Sequence, residues 1–301
     1  MKAFVVSEYA HPTKIQLTHD APEPVPTPGS DDLLIDVHSS GLNYFDILQS
    51  QGNYQTQPPL AGTVVTAPPG SPYKPGDRVF GSSQGGHAER VVANPIDVLP
   101  LPDTLSFDEG AGLFITYPTS YEALVGRANL QAVAPVLAAA GGLGMVAVQI
   151  GKLDLARTVG GADFVVDYTK EGWEQEVRKI TGGRGGRIRE ALKCIVWGGR
   201  ALVVGFAGGE IEKLSLHLVL LKNASIIGIY WGSYRKHNPK RTREIWDEIF
   251  ALFASGRLKA VLYPGRYTLE TLSQGLQDLE NRKTWGKVIA RVREPSLRGK
   301  L

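Results

Sequence analysis

The sequence predicts an α/β protein made of a β-rich domain and a doubly wound parallel sheet. Short strand patterns separated by proline and glycine turns occupy the first hundred residues. After residue 135, apolar strands alternate with helices, which is typical of a parallel sheet. A glycine-rich turn at residues 139–144 joins one such strand to one such helix. A chain of 301 residues is long enough for the two domains that these patterns indicate.

The β-rich part begins with strands that alternate or run apolar, at residues 2–6, 33–38, 63–67, 78–80 and 88–92. One short helix is predicted among them, at residues 43–49. Turns such as Pro68-Pro69-Gly70 separate the strands. This spacing predicts a small barrel or sandwich.

The character of the chain changes near Leu105. Ser106 can cap a helix whose first turn carries Asp108 and Glu109, and helices are predicted at 106–114 and 119–126. Beyond residue 135 the predicted strands are 136–138, 164–166, 200–205, 225–230, 261–264 and 287–292. One helix is predicted to begin at residue 142, and further helices are predicted at 171–180, 188–194, 240–255 and 269–281.

Composition and charge exclude several classes of protein. A net charge of +3 with no basic strip interleaved with aromatic residues argues against nucleic-acid binding. The single cysteine, Cys194, excludes an intramolecular disulfide and a cysteine-built metal site. No run of eighteen apolar residues predicts a membrane span, and the first residues lack the apolar core of a signal peptide. A cytoplasmic protein without a membrane partner is therefore expected.

The turn at 139–144 has small residues at the three positions of the dinucleotide-binding pattern G-x-G-x-x-G, namely Ala139, Gly141 and Gly144. Small residues let the backbone approach a pyrophosphate, whose charge the helix N-terminus favours. The residues predicted to contact the cofactor here are Ala140, Gly141, Gly142, Leu143 and Gly144. By spacing alone, Asp167 would bind the ribose.

Seven motifs occur in the order found in one enzyme family: GLNYFD (41–46), GNY (52–54), KPGDRV (74–79), GGHAE (85–89), TYPTSY (116–121), AAAGGLG (138–144) and GKV (286–288). Nearly end to end, the chain resembles the zinc-independent medium-chain dehydrogenases/reductases, and most closely the quinone oxidoreductases of the zeta-crystallin type. The resemblance implies a GroES-like catalytic domain (residues 1–117 and 257–301), a Rossmann domain (118–256) and a homodimer. It also implies NADP(H) as cofactor, with NAD(H) as an alternative, and no flavin.

The zinc-dependent branch of this superfamily fits the sequence poorly. Catalytic zinc needs three protein ligands, and the branch's Gly-His-Glu block is absent after Pro58-Pro59-Leu60. His87 is expected to be an ordinary loop residue. A metal-free enzyme is therefore predicted.

The chain departs from the family at three places. A loop is missing between Leu60 and Ala61, and a further gap falls at Gly185-Gly186. Residues 149–157 join the end of one family helix to the middle of the next, so the second Rossmann strand and the ligands of the adenosine ribose or its 2′-phosphate have no counterpart. By resemblance, residues 161–168 form the third strand with Tyr168 near the adenosine, and Asp167 then has no ribose role. Cofactor preference is left open.

The resemblance also assigns residues to the site. Asn43 and Tyr44 would lie beside the nicotinamide, and Thr116 would lie near its carboxamide. Lys287 could reach a cofactor phosphate. The residues expected along the cofactor are Gly205, Phe206, Tyr230, Trp231 and Gly232. Each has a simpler alternative, since Asn43 could merely cap a helix and the aromatic residues could belong to the core.

Tyr54 has two interpretations. Its phenol could donate the proton that follows hydride addition to an enone, as in the mitochondrial enoyl reductases that the Gly-Asn-Tyr block resembles. Alternatively, its ring only walls the quinone slot. The predicted substrates are accordingly a small quinone or, as an alternative, an enone. Two other functions stay open: a pseudoenzyme that keeps the fold, and a lens-type or chaperone-like structural protein.

Overall fold

The computed structural model describes residues 1–54, 58–130, 142–153, 195, 197–206 and 213–293. The chain divides into two compact units, the first made of Met1–Ile115 with Ala260–Leu301 and the second of Thr116–Lys259. A mixed α/β fold with a GroES-like sheet and a parallel, Rossmann-like pair of strands confirms the predicted fold class. The domain limits given above stay a prediction.

The strands of the described residues are β1 (Ala3–Phe4), β2 (Leu17–Thr18), β3 (Leu33–Leu42), β4 (Pro59–Thr66), β5 (Arg78–Ser82), β6 (Arg90–Ala93), β7 (Val98–Pro100), β8 (Arg200–Val203), β9 (Ser225–Gly228), β10 (Tyr267–Thr268) and β11 (Val288–Arg291). Their helices are α1 (Tyr44–Ser50), α2 (Phe107–Tyr121), α3 (Gly142–Leu153), α4 (Leu216–Leu221), α5 (Tyr234–His237), α6 (Pro239–Ala254) and α7 (Leu272–Glu280). Short 3-10 turns lie at Pro12–Lys14, Pro95–Asp97 and Trp231–Ser233.

The first unit is built on one sheet with the strand order β10-β11-β3-β4-β5-β7, and β6 also pairs with β3. All of these pairs are antiparallel except β10–β11. Residues 33–37 of β3 alternate between buried and half-buried, whereas residues 39–42 are all buried. The loss of alternation marks the part of β3 that is covered on both faces.

Two apolar clusters hold this sheet. One joins side chains of β3–β7, among them Leu33, Ile35 and Val79, none of which is exposed. The other joins Leu42 of β3 and Ile47 of α1 to α7 and β11, and lies beside the functional residues described below. In α7, Leu272 and Leu276 are one turn apart, which places both on its buried face.

Strand β4 passes without interruption through the point where the family has an additional loop. Leu60 pairs with Ser40 of β3 and Gly81 of β5, and Ala61 pairs with Ser39 and Phe80. The missing loop is therefore absorbed by a continuous, fully paired strand.

The second unit contains the parallel pair β8–β9, which aligns Arg200 with Ser225 and Val203 with Gly228. Helix α6 buries Ile245, Trp246 and Ile249. The predicted helix from residue 142 is confirmed by α3. The elements predicted at 136–138, 164–166, 171–180 and 188–194 lie outside the described residues.

Two predictions of local structure are wrong. Helices were expected at 106–114 and 119–126, but α2 runs through from Phe107 to Tyr121 and continues as a π-helical turn, Glu122–Arg127. Pro118 lies inside α2, where apolar burial of Phe114 and Tyr117 outweighs its missing N–H donor. The strand expected at 261–264 is only an isolated bridge between Leu262 and Lys287.

None of the helices among the described residues is long and apolar enough to cross a membrane.

Candidate active site

The corner between β3 and α1 holds Asn43 and Tyr44, which together with Tyr54 are the residues predicted from the sequence to be catalytic. Helix α1 begins after Asn43, whose extended backbone marks the change from strand to helix. The carboxylate of Asp46, three residues later, accepts a hydrogen bond from the backbone N–H of Asn43 at 2.7 Å. Asp46 thereby satisfies a donor that the helix itself leaves unpaired, and it is itself 5% exposed.

The side-chain amide of Asn43 is bound at both ends. Its Nδ2 donates to the carbonyl of Gly41 at 3.0 Å, with a longer contact of 3.4 Å to Asp46. Its Oδ1 accepts a hydrogen bond from Nζ of Lys287. Asn43 is therefore the N-cap of the helix, as one interpretation of the sequence expected, while its side chain also bonds to Gly41 and Lys287, which lie outside that helix.

Lys287, predicted to reach a cofactor phosphate, is only 4% exposed. Besides Asn43, its ammonium donates to the carbonyl of Leu42 at 2.9 Å. Burial lowers the pKa of Lys287 from 10.5 to about 8, and the nearby carboxylate of Asp46 opposes part of that shift. The phosphate role of Lys287 stays a prediction.

We expect the buried ammonium of Lys287 to make the stability of the chain depend on pH. Its pKa is lower in the folded chain than in the unfolded one, so the unfolded chain binds more protons between about pH 8 and pH 10.5. The destabilising effect is present in full below pH 8 and is relieved as the pH rises through that window. Relative to Lys287→Met, the free energy of unfolding should rise by up to about 1.4 kcal/mol per pH unit. Urea unfolding of both proteins across the window measures this difference, and a flat difference would contradict it.

His87 is a loop residue, as expected, but its environment is unusual because it is 7% exposed and faces Asp46. Its Nδ1 shares a hydrogen bond of 2.7 Å with the hydroxyl of Ser40. Its Nε2 lies 3.5 Å from Oδ2 of Asp46. Neither this Nε2 nor Oδ1 of Asp46 has a hydrogen-bond partner among the described residues. Three polar side chains that were not predicted, Ser40, Asp46 and His87, thus extend the buried polar cluster of Asn43 and Lys287.

The two tyrosines predicted to lie at the active site, Tyr44 and Tyr54, differ in their environments. Tyr44 packs against the apolar cluster of α1 and α7. Tyr54 is 37% exposed, and its ring stacks on that of Phe45 with centroids 5.8 Å apart. Within the part of the chain that the structure describes, no group forms a hydrogen bond with the Tyr54 hydroxyl. Tyr54 is the more exposed of the two tyrosines, so its phenol is accessible to a substrate.

The residues of this unit do not fit a catalytic zinc ion. Across residues 1–54, 58–130 and 213–293, no three histidine, cysteine, aspartate or glutamate side chains are grouped as metal ligands. Asp46 and His87 supply two donors, fewer than the three that catalytic zinc requires. The position where the zinc branch carries Gly-His-Glu is here the paired strand β4. No step through zinc is therefore derived.

In the second unit, the carboxyl ends of β8 and β9 carry most of the residues predicted to lie along the cofactor. Because the strands are parallel and in register, Gly205-Phe206 and Tyr230-Trp231 follow the same edge of the pair. Phe206 is 43% exposed and Tyr230 is 71% exposed, and a Cβ added at Gly205 would meet no atom within 4 Å. Ligands of open α/β sheets bind outside the carboxyl ends of the strands. This edge therefore fits a nicotinamide dinucleotide.

Trp231 is fixed by a buried carboxylate. Its ring stacks on Tyr234 with centroids 5.2 Å apart, and the Tyr234 hydroxyl donates to Glu122 at 3.1 Å. Glu122, 5% exposed, is also paired with Arg241 at 3.1 Å. The adjacent Gly232 lies in the same 3-10 turn as Trp231. The π-helical turn that carries Glu122 thus sets the position of an aromatic predicted to contact the cofactor.

Helix α3 begins at Gly142, so that Gly142, Leu143 and Gly144 form its first turn. The hydroxyl of Ser120 donates to the carbonyl of Leu143 at 2.9 Å and ties this turn to α2. A helix N-terminus with small residues suits a pyrophosphate. Ala140 and Gly141, like Tyr168 and Asp167, lie outside the described residues.

Thr116, predicted to lie near the carboxamide of the nicotinamide, is 4% exposed within α2.

A separate cavity of about 250 Å³ lies in the first unit. It is lined by residues of β10, β11 and the segment before β10, together with Asp108 of α2. Asp108 and Arg291 are among its charged lining residues. Those two side chains form an ion pair at 2.6 Å. None of the predicted site residues lines this cavity.

Protein-family comparison finds a match in the part of the chain that forms each unit. Residues 29–117 match the alcohol dehydrogenase GroES-like domain, and residues 132–251 match the zinc-binding dehydrogenase family. A quinone oxidoreductase-like protein 2 homolog of Nematostella vectensis is 34% identical over 88% of this chain and 83% of its own length.

Solved structures give the same result. A probable oxidoreductase of Mycobacterium abscessus is 31% identical, with a TM-score of 0.82 over 97% of this chain and 99% of its own. An Escherichia coli quinone oxidoreductase complexed with NADPH has a TM-score of 0.79 over 97% of this chain and 99% of its own. At 23% identity, the latter shows the fold alone.

Proposed function

This chain belongs to the quinone oxidoreductase family of zinc-independent medium-chain dehydrogenases/reductases, and we propose that it is an NADPH-dependent reductase of small quinones. The observation that carries the proposal is the edge formed by the carboxyl ends of β8 and β9. There, a glycine with open space beside it and two exposed aromatic side chains follow parallel strands, in a chain whose relatives include quinone oxidoreductase-like proteins. The NADPH complex of the Escherichia coli structure supports the choice of cofactor class.

The cofactor, when bound, supplies the hydride. The protein binds and orients it: the first turn of α3, together with Ala140 and Gly141, would receive the pyrophosphate. Trp231, held by Tyr234 and Glu122, would pack along the cofactor with Phe206 and Tyr230. The remaining proposed contacts are Asn43, Tyr44, Thr116, Tyr168, Gly205 and Gly232.

A quinone is a flat, apolar ring, and the aromatic side chains near α1 suit such a substrate. Tyr54 stacks on Phe45 at an angle of 15° and leaves part of its ring accessible. Aromatic surfaces of this kind contact flat ligands by offset stacking. The proposed reaction uses no zinc, because the described residues near α1 offer only two of the three ligands that catalytic zinc requires, and the family resemblance implies no flavin.

The test is a turnover assay of the full-length chain with NADPH, first with an ortho- or para-quinone and then with an α,β-unsaturated ketone. We expect NADPH consumption with the quinone that a chelator does not change. NADPH binding is measured separately by quenching of tryptophan fluorescence. Binding without turnover of either substrate would contradict the proposal and favour a pseudoenzyme, and absence of binding would favour a structural protein.

Enone reduction is the second candidate, favoured by the hydroxyl of Tyr54. A phenol that has no hydrogen-bond partner among the described residues is available to protonate a reduced enone, provided that the substrate brings its acceptor within hydrogen-bond reach. Turnover of the enone but not of the quinone would favour this candidate over quinone reduction.

We expect the chain to discriminate weakly between NADPH and NADH. The family segment that carries the 2′-phosphate ligands has no counterpart in this sequence, and a basic contact to that phosphate contributes roughly 1–3 kcal/mol. Its loss should reduce the preference for NADPH by about one to two orders of magnitude. The ratio of kcat/KM for the two cofactors measures this. A preference beyond about a thousandfold would show that another residue, such as Lys170 or Arg187, binds the phosphate.

The resemblance also supports two proposals beyond the site. We propose that the chain forms a homodimer and that it acts in the cytoplasm on a small molecule. Light scattering and fractionation of cells test these two proposals.

A further inference from the structure

The side chain of Lys287 is a buried cation, and both groups that accept hydrogen bonds from its ammonium belong to the corner between β3 and α1. Lys287 directly precedes β11, and its backbone N–H donates to the carbonyl of Val261 at 2.9 Å as part of the bridge between Leu262 and Lys287. Its side chain runs past Gly41, where a Cβ would lie only 3.0 Å from Lys287 Cε. The ammonium then reaches the carbonyl of Leu42 and Oδ1 of Asn43. Both acceptors flank the point at which the strand becomes a helix.

The ammonium determines which way the Asn43 amide faces. Oδ1 must face Lys287, because the amide nitrogen has no free lone pair to accept from an ammonium. Nδ2 must then face Gly41, whose carbonyl accepts at 3.0 Å. An amide held at both ends loses the two-fold freedom that asparagine side chains normally have.

Two titratable side chains, those of Asp46 and His87, complete this corner. Asp46 comes from α1 and stabilises the cation, while the imidazole of His87 reaches Asp46 from the loop before β6, with 3.5 Å between Nε2 and Oδ2. Two polar atoms of this pair, Oδ1 of Asp46 and Nε2 of His87, lack hydrogen-bond partners. Among the described residues that contact this corner, Asp46 is the one carboxylate that faces both Lys287 and His87.

We propose that Lys287 is a positioning residue that acts through Asn43, fixing the amide that faces the nicotinamide, and that it does not bind a cofactor phosphate. The proposal rests on the proposed function, because the role of Asn43 beside the nicotinamide belongs to it. To reach a phosphate, the ammonium would have to leave two acceptors and the vicinity of Asp46. That movement would also take the ammonium away from the buried carboxylate of Asp46, whose negative charge stabilises it, which is unfavourable.

A pH profile follows from the same geometry. Burial lowers the pKa of Lys287 to about 8, so the charged form that binds Asn43 most strongly predominates below this pH. Above it, the neutral amine donates weaker hydrogen bonds, and kcat should fall by several-fold although the folded state gains stability. A side chain with a purely structural role would not lower kcat while stability rises.

The experiment combines Lys287→Met and Asn43→Ala, singly and together, in the full-length chain. We expect each single variant to lower kcat by about tenfold, the size of one hydrogen bond to a charged group, and the double variant to lose no more than either single. In Lys287→Met, the Kd of NADPH should stay within about threefold of the wild type. Multiplied losses in the double variant would overturn the proposal. So would a tenfold or larger, salt-dependent rise in the Kd of NADPH, which would identify a phosphate ligand.

Lys287→Arg provides the conservative control, since it keeps the charge and the donors, and it should retain more activity than Lys287→Met. A second measurement needs neither a variant nor turnover. In the wild-type chain labelled with ¹⁵N-asparagine, the Asn43 side-chain amide resonance should titrate near pH 8, the pKa of Lys287. A flat amide resonance would overturn the proposal even if Lys287→Met fails to fold. If wild-type turnover is absent while this resonance titrates, the proposed function fails and the positioning of Asn43 by Lys287 stands.

Discussion

Tyr54→Phe is expected to reduce enone turnover by about a hundredfold while quinone turnover stays within a few-fold of the wild type. Phenylalanine keeps the stack on Phe45 and removes only the hydroxyl, which no described group binds. A reduced quinone carries its negative charge on oxygen, which water protonates readily. A reduced enone must take a proton at carbon, where a positioned acid matters more. Initial rates with one quinone and one enone substrate give the comparison.

The control for this variant is Tyr9→Phe. Tyr9 is 79% exposed, and its ring lies beside Gly52 at the start of the Gly-Asn-Tyr block, so the variant removes a phenol from the same neighbourhood. Neither substrate should be affected by it. A hundredfold loss with the quinone in Tyr54→Phe would mean that the hydroxyl participates in quinone chemistry. An unchanged enone rate would show that Tyr54 only shapes the slot.

The order of elements in the first unit was predictable from apolar patterning, but the extents of its central strands were not. Strand β3 was expected to end at residue 38, whereas it continues to Leu42. Residues 39–42 read Ser-Ser-Gly-Leu and show no alternation, because all four are buried and the strand has no exposed face there. Patterns of period two report on one exposed face, and this part of β3 has none.

The polar cluster could be predicted only in part. Asn43 and Asp46 are three residues apart at a helix start, a local spacing that predicts mutual capping. Lys287 is 244 residues from Asn43, and His87 is 47 residues from Ser40, so no local pattern brings them together. The antiparallel pairing of β11 with β3 places Lys287 beside the corner, and that pairing is a property of the whole sheet. The resemblance identified Lys287 as part of a motif but not as a buried cation.

In the second unit, the resemblance alone assigned Gly205, Phe206, Tyr230 and Trp231 to the cofactor, and the register of β8 with β9 brings these residues to one edge. Glu122 was not singled out. Its role depends on Tyr234 and Arg241, more than a hundred residues away, and on a π-helical turn that no propensity predicts.

Gly41→Ala is expected to destabilise the chain by about 3 kcal/mol or more, because the added methyl group has no space. A Cβ at this position would lie 2.5 Å from the carbonyl oxygen of Ala111 and 3.0 Å from both Lys287 Cε and Pro59 Cγ. The first contact is with the backbone of α2, which cannot rotate away as a side chain can. Gly41 also pairs with Ile289 of β11, so displacing it disturbs the ladder that carries Lys287. Urea unfolding measures the loss, and kcat should fall in the protein that remains folded.

The matched control for Gly41→Ala is Gly112→Ala, which adds the same methyl group to α2. Its Cβ would meet the Leu262 side chain at 2.8 Å and Lys287 Cγ at 3.5 Å, and the first of these contacts is the flexible end of a leucine. Alanine in a helix interior is favoured over glycine by about 1 kcal/mol, which should offset the crowding. Gly112→Ala should therefore stay within about 1 kcal/mol of the wild type. Equal destabilisation by the two variants would show that α2 tolerates no added volume anywhere. If Gly41→Ala does not change the free energy of unfolding, then α2 and β3 can move apart enough to relieve the 2.5 Å contact at no cost.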